Sequence, residues 1–176
     1  MQTYSITQRK RNILIGGLIL LAAIVLVAGF VLALNFKPDI MDPNQIAGAP
    51  ENLPAGTGYT SYSAAGVATV SLCCAPSYDG RIADVYLTNP ADSKVLIKAE
   101  FYTVKESRNE TTGEITYLPD GQIGETGYIR PGAYVRQVRL KHFPAGQNGR
   151  LMIKISTMIE STRESNGFFY IRTTVS

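Results

Sequence analysis

Hydrophobic positions fall into two regimes along this chain. Residues 13–34 form an unbroken run in which every residue is apolar, Ala or Gly, and fifteen of those 22 are Leu, Ile, Val or Phe. From Val67 to the C-terminus, apolar and polar residues instead alternate with period two, interrupted by turn clusters. The first regime predicts a helix of roughly 33 Å, long enough for the hydrocarbon core of a bilayer. A cleavable signal has a shorter apolar region, about 7–15 residues, with small residues at the cut. Here the small-residue site Ala47-Gly48-Ala49 lies beyond Lys37 and Asp39 and is followed by Pro50, too far from the run. The reading is an uncleaved transmembrane helix over residues 13–36. Arg9, Lys10 and Arg11 precede it, so residues 1–12 are expected to be a cytoplasmic basic tail. Gly29 and Ala33 have the spacing that lets two such helices approach closely, although Gly and Ala are common in spans anyway.

The second regime predicts strands. VATVSLCC puts Ala68, Val70 and Leu72 on one face, and RIADVYLT does the same with Ala83, Val85 and Leu87. KVLIKAEFYTV sets Val95, Ile97, Ala99 and Phe101 against Lys98, Glu100 and Tyr102. ITYLPDGQIGE reads as a hairpin around Pro119-Asp120-Gly121, and Pro131-Gly132 as a turn before AYVRQVRLKHF. RLMIKISTMI, with Leu151, Ile153 and Ile155 on one face, and GFFYIRTTVS complete the series. Seven to eight strands with regular turn signals and no helical period predict an antiparallel β-sandwich of immunoglobulin-like type over residues 67–176. The Cys…Trp…Cys pattern of antibody domains is absent, so the likeness is one of architecture. Between the regimes, residues 37–66 carry Pro38, Pro43, Pro50 and Pro54 among Gly, Asn and Asp, which reads as a linker, with Tyr59 and Tyr62 open to assignment to a first strand.

Charge sharpens this picture. The chain carries 17 Lys and Arg against 14 Asp and Glu, and residues 1–36 contain Arg9, Lys10 and Arg11 but no acid. The excess is therefore a topology signal, the remainder is neutral, and nucleic-acid binding is not expected. The expected localisation is the cell membrane, single-pass, with the C-terminal domain extracytoplasmic.

The order of these features, with VYLTNPADSKVLIKAEFY and GETGYIRPGAYVRQVRL, resembles small Gram-positive (Clostridia-like) surface proteins that have one N-terminal span and an immunoglobulin-like exterior domain. The resemblance implies fold and location and carries no functional residues.

Candidate chemistry is sparse. Cys73 and Cys74 are adjacent, and neighbours on a strand point to opposite faces, so a mutual bridge would distort the backbone. One packed and one exposed thiol is the plain account; two reactive thiols would be the chemical one. His142 is the only histidine, which leaves no His-rich metal site. Arg130, Arg136, Arg139 and Lys141 form a cationic stripe with Gln137 that would suit an anionic polymer or the acidic face of a partner; a solvated sheet face explains them more simply. Asn109-Glu110-Thr111 fits a glycosylation sequon, relevant only to a eukaryotic secretory route. No calcium loop, phosphate loop, GxSxG elbow or HExxH occurs, LPDG is no sortase signal, and the prepilin acid is missing. No cofactor is expected.

The functional expectation is a non-enzymatic membrane-anchored module making protein contacts, with a protein partner or further copies of itself. It would serve as a structural or accessory subunit of a cell-envelope assembly, or as an adhesion-type module. If the last strand lies at a sheet edge, Phe169, Tyr170, Ile171 and Arg172 are where a partner strand would pair. Two alternatives stand: a thiol-dependent envelope enzyme or redox protein using Cys73 and Cys74, and a pilin-like appendage subunit with its apolar helix in a filament core.

Overall fold

A computed structural model describes residues 17–28, 30, 39–53, 56, 58–141 and 149–175. Residues 17–28 are helical, and among the described residues no helix is long and apolar enough to cross a membrane. The remainder of the apolar run, Arg9 to Arg11, the Gly29–Ala33 pair and His142 lie outside the described residues. The chain divides into two compact units, one ending at Asp39 and the other spanning Ile40–Ser176.

The second unit is built of strands in two antiparallel sheets. Its strands are β1 (Gln45–Ala47), β2 (Tyr59–Ala64), β3 (Ala68–Cys73), β4 (Ile82–Asn89), β5 (Leu96–Arg108), β6 (Ile115–Glu125), β7 (Ala133–Arg139), β8 (Arg150–Met158) and β9 (Ser165–Thr174). One sheet has the order β1-β7-β4-β3-β2 and the other β6-β5-β8-β9. Hairpins join β5 to β6 and β8 to β9 within one sheet, while the chain crosses the sandwich at β4–β5, β6–β7 and β7–β8. The period-two positions point inward as their spacing requires. Val70, Leu72, Val85, Leu87, Ile97, Phe101, Leu151, Ile153 and Ile155 are all within one buried cluster.

Two expectations change. Residues 40–66 are not a linker: β1 and β2 belong to the five-stranded sheet, and the domain begins at Ile40 instead of residue 67. The lead segment is fastened by backbone bonds, Asp42 N to Tyr128 O (2.8 Å) and Tyr128 N to Ile40 O (2.9 Å). The buried Asp42 carboxylate accepts from Gly127 N (2.7 Å) and Asn44 N (2.8 Å), so its charge is met by two backbone donors. Second, Pro119-Asp120-Gly121 makes no turn and lies within β6, whose register against β5 shifts there. β6 is an edge strand, where proline's missing N–H has an open side to face. The reversal falls earlier, where Asn109 Oδ1 accepts from Thr111 N (2.9 Å) and Thr112 N (3.2 Å). β4 keeps Ala83, Val85 and Leu87 in the core as their spacing predicts, and it carries a bulge between Asp84 and Leu87, with Tyr86 at φ 46°. The bulge brings the Arg136 guanidinium to 5.7 Å from the Tyr86 ring.

Candidate interaction site

β9 is the outer strand of the four-stranded sheet and, among the described residues, pairs with β8 alone. Its open side can be worked out from the ladder. Arg150 opposes Thr174, and Val175 N donates to Gly149 O at 2.8 Å, so Val175 and Gly149 form a hydrogen-bonded pair. Bonded pairs alternate in an antiparallel ladder. Thr173, Ile171 and Phe169 therefore direct their N–H and C=O groups to β8, while Arg172, Tyr170 and Phe168 direct theirs to the open edge.

The same alternation sorts the side chains. Phe169 packs on the core and Ile171 is buried in it, whereas Phe168 and Tyr170 are 56% and 45% exposed. Those two rings stand edge to face at 5.7 Å. Lys154 on β8 lies 5.3 Å from the Phe168 ring and donates to Glu100 at 2.8 Å. The hydrogen bond to Glu100 raises the Lys154 pKa above the usual lysine value. Tyr102, beside this pair, is raised by burial first and by the Glu100 charge second.

Further along, Arg150 and Arg172 flank the Tyr117 ring at 5.1 and 6.0 Å. Arg150 pairs with Glu106, while Arg172 enters no ion pair among the described residues. Beside them opens a cavity of about 380 Å³ lined by Cys74, Tyr117, Arg150, Arg172, Thr173 and Thr174.

Below the edge, the sandwich has a step. β9 lies across from β3: Asn166 Nδ2 donates to Val67 O (3.0 Å) just before β3, and Thr173 Oγ1 donates to Cys74 O just after it. β2 is the next strand beyond β3 and so projects past β9. Its burial agrees. Thr60 and Tyr62 face the same side as Leu72 and Val70, which are 1% and 0% exposed, yet Thr60 is exposed and Tyr62 half-buried. Burial, with a smaller contribution from Cys74, raises the Tyr62 pKa.

The remaining sequence candidates separate. Cys73 and Cys74 form no disulfide; Cys73 is fully buried, and only Cys74 reaches the cavity. The cationic stripe is not one unit. Arg136 and Arg139 line one cavity with Asn44, Ile46, Ile82 and Gln137, and Arg139 and Lys141 line another with Arg81 and Glu125. Arg130 lies at the turn before β7, where it pairs with Glu160 at 3.8 Å. Acids temper the stripe: Gln137 Nε2 donates to Asp84 (2.8 Å), and Glu125, held below the usual carboxylate range chiefly by its hydrogen bond from Lys98, borders Lys141. Among the described residues no group of three or more His, Cys, Asp or Glu is placed to hold a metal ion.

Sequence reasoning missed Phe168, Lys154, Tyr117 and Arg150. The adjacent Phe168 and Phe169 hide which of them faces out, and Tyr117 and Arg150 meet only through the sheet's cross-strand register. No protein-family model, curated protein or solved structure matches the chain.

Proposed function

We propose that this is a single-pass membrane protein whose sandwich is displayed outside the cytoplasmic membrane and makes protein contacts through the β9 edge. It would act as a structural or accessory subunit of an envelope assembly or as an adhesion-type module. The observation that carries this reading is the open backbone edge of Phe168, Tyr170 and Arg172 beside two exposed aromatic rings. Sheet edges of this kind are templates for a partner strand, and exposed aromatics supply the apolar area such contacts bury.

An immunoglobulin-like classification is supported by the paired β4 and β7 in one sheet and the two hairpins in the other. The anchor rests on the apolar run of residues 13–34, and its orientation on Arg9, Lys10 and Arg11.

Site-specific photocrosslinking in the native membrane tests the reading. A crosslinker at Tyr170 should give a discrete protein adduct, and one at Ser63, on the opposite sheet, should not. No adduct at Tyr170, or equal adducts at both positions, overturns it.

The thiol reading now rests on Cys74 alone, which shares its cavity with Arg150 and Arg172. Fast, selective alkylation of Cys74 with loss of a measurable redox activity would support that reading over the first.

A further inference from the structure

We propose that the step beside β9 receives one extended segment of a partner protein as an added strand, with an acidic side chain of that segment set against Arg172. This rests on the reading that the β9 edge is the contact surface, and it specifies what binds there.

The backbone supplies the first half of the recognition. Phe168, Tyr170 and Arg172 turn their N–H and C=O groups outward, enough for roughly six hydrogen bonds to a strand laid alongside. The floor supplies the apolar part. Tyr62 and Phe169 lie partly buried at the margin of the core, so inward residues of the incoming strand would complete it.

The step also selects against a second copy. Joining two β9 edges about a two-fold axis would place the β3 of one copy beneath the β9 of that same copy, where the first copy's β2 already projects. A single strand with no sheet beneath it meets no such obstacle. The fold thus protects this edge from self-pairing and leaves it open to a narrower guest.

Charge specifies the guest's outer face. Glu100 answers Lys154 and Glu106 answers Arg150, but Arg172 has no acid in an ion pair among the described residues. Its guanidinium lies 6.0 Å from the Tyr117 ring and borders a cavity that also presents Thr173 and Thr174. Guanidinium forks and hydroxyls suit a carboxylate.

The test uses the full chain in lipid nanodiscs with two synthetic peptides, one alternating valine with glutamate and the other valine with lysine. Residue-resolved amide exchange should slow roughly tenfold at Phe168, Tyr170 and Arg172 with the glutamate peptide and not with the lysine peptide. Arg172→Glu should reverse that preference. Protection by neither peptide, or equal protection by both, overturns the proposal. If neither peptide protects but Tyr170 still crosslinks a different protein in native membranes, the specific inference fails while the contact-edge reading stands. A Tyr170 adduct to a second copy overturns the argument from the step.

Discussion

Lys154 and Glu100 meet at 2.8 Å on the outer face of the four-stranded sheet, with the lysine ammonium also 5.3 Å from the Phe168 ring. One cation thereby meets its register partner Glu100 on β5 and, on β9, the ring diagonal to its own register partner Tyr170.

The folded-state pKa of Lys154 is raised, so its contribution is fully present below the unfolded value of about 10.4 and is lost as pH rises through the higher folded value. Lys154→Met should cost roughly 0.5–1 kcal/mol at neutral pH, as partly exposed pairs do. Its penalty should shrink on the alkaline side of about pH 10.4. Chemical denaturation across that range checks this; a pH-independent penalty contradicts the charge pairing.

Gly127→Ala should destabilise the domain by about 2 kcal/mol or more. A Cβ there would lie 2.5 Å from Asp42 N and 2.6 Å from Asp42 Cα, backbone atoms that cannot step aside. Thermal melting checks this, and a change below about 0.5 kcal/mol would show that the lead segment shifts freely.

Asn89 is fully buried, and its Nδ2 donates to Val95 O and Ile129 O at 2.9 Å each, while Oδ1 has no partner among the described residues. Asn89→Ala should cost roughly 2–3 kcal/mol by stranding two carbonyls. Asn89→Asp should cost more, because it aims a carboxylate at both. The order of the two melting temperatures is the measurement, and the reverse order rules out this account.

Cys74 should alkylate in the folded chain, and Cys73 only after denaturation, since the first is partly exposed and the second fully buried. Intact-mass analysis after iodoacetamide would show one addition in native conditions and two in denaturant. Two native additions would contradict the burial of Cys73.

The core was legible because inward positions such as Val70, Leu72, Ile97 and Ile153 recur every second residue and are apolar. β2 was legible only as an open assignment of Tyr59 and Tyr62, and its overhang explains why: its inward Thr60 and Tyr62 are incompletely covered, so apolar alternation is not required of it. Pro119-Asp120-Gly121 misled because turn residues are equally tolerated at a bulged edge. The Asp42–Gly127 clasp joins residues far apart in sequence, a relation that no local pattern encodes. At the site, the β9 edge was foreseen as a condition on where the last strand would lie. Within the cationic stripe Arg136, Arg139 and Lys141 stay neighbours through Arg139, and Arg130 stands apart at a turn beside Glu160.

The early closure of the sandwich over Ile40 to Ala47 has a mechanical consequence. Tension arriving through Asp39 finds no slack coil to pay out and loads the Asp42 clasp and the Met41–Tyr128 bridge directly. Any force between the head and whatever holds its N-terminal segment would therefore be felt at the base of the sheets, so the clasp is the place where such a load would first begin to open the fold.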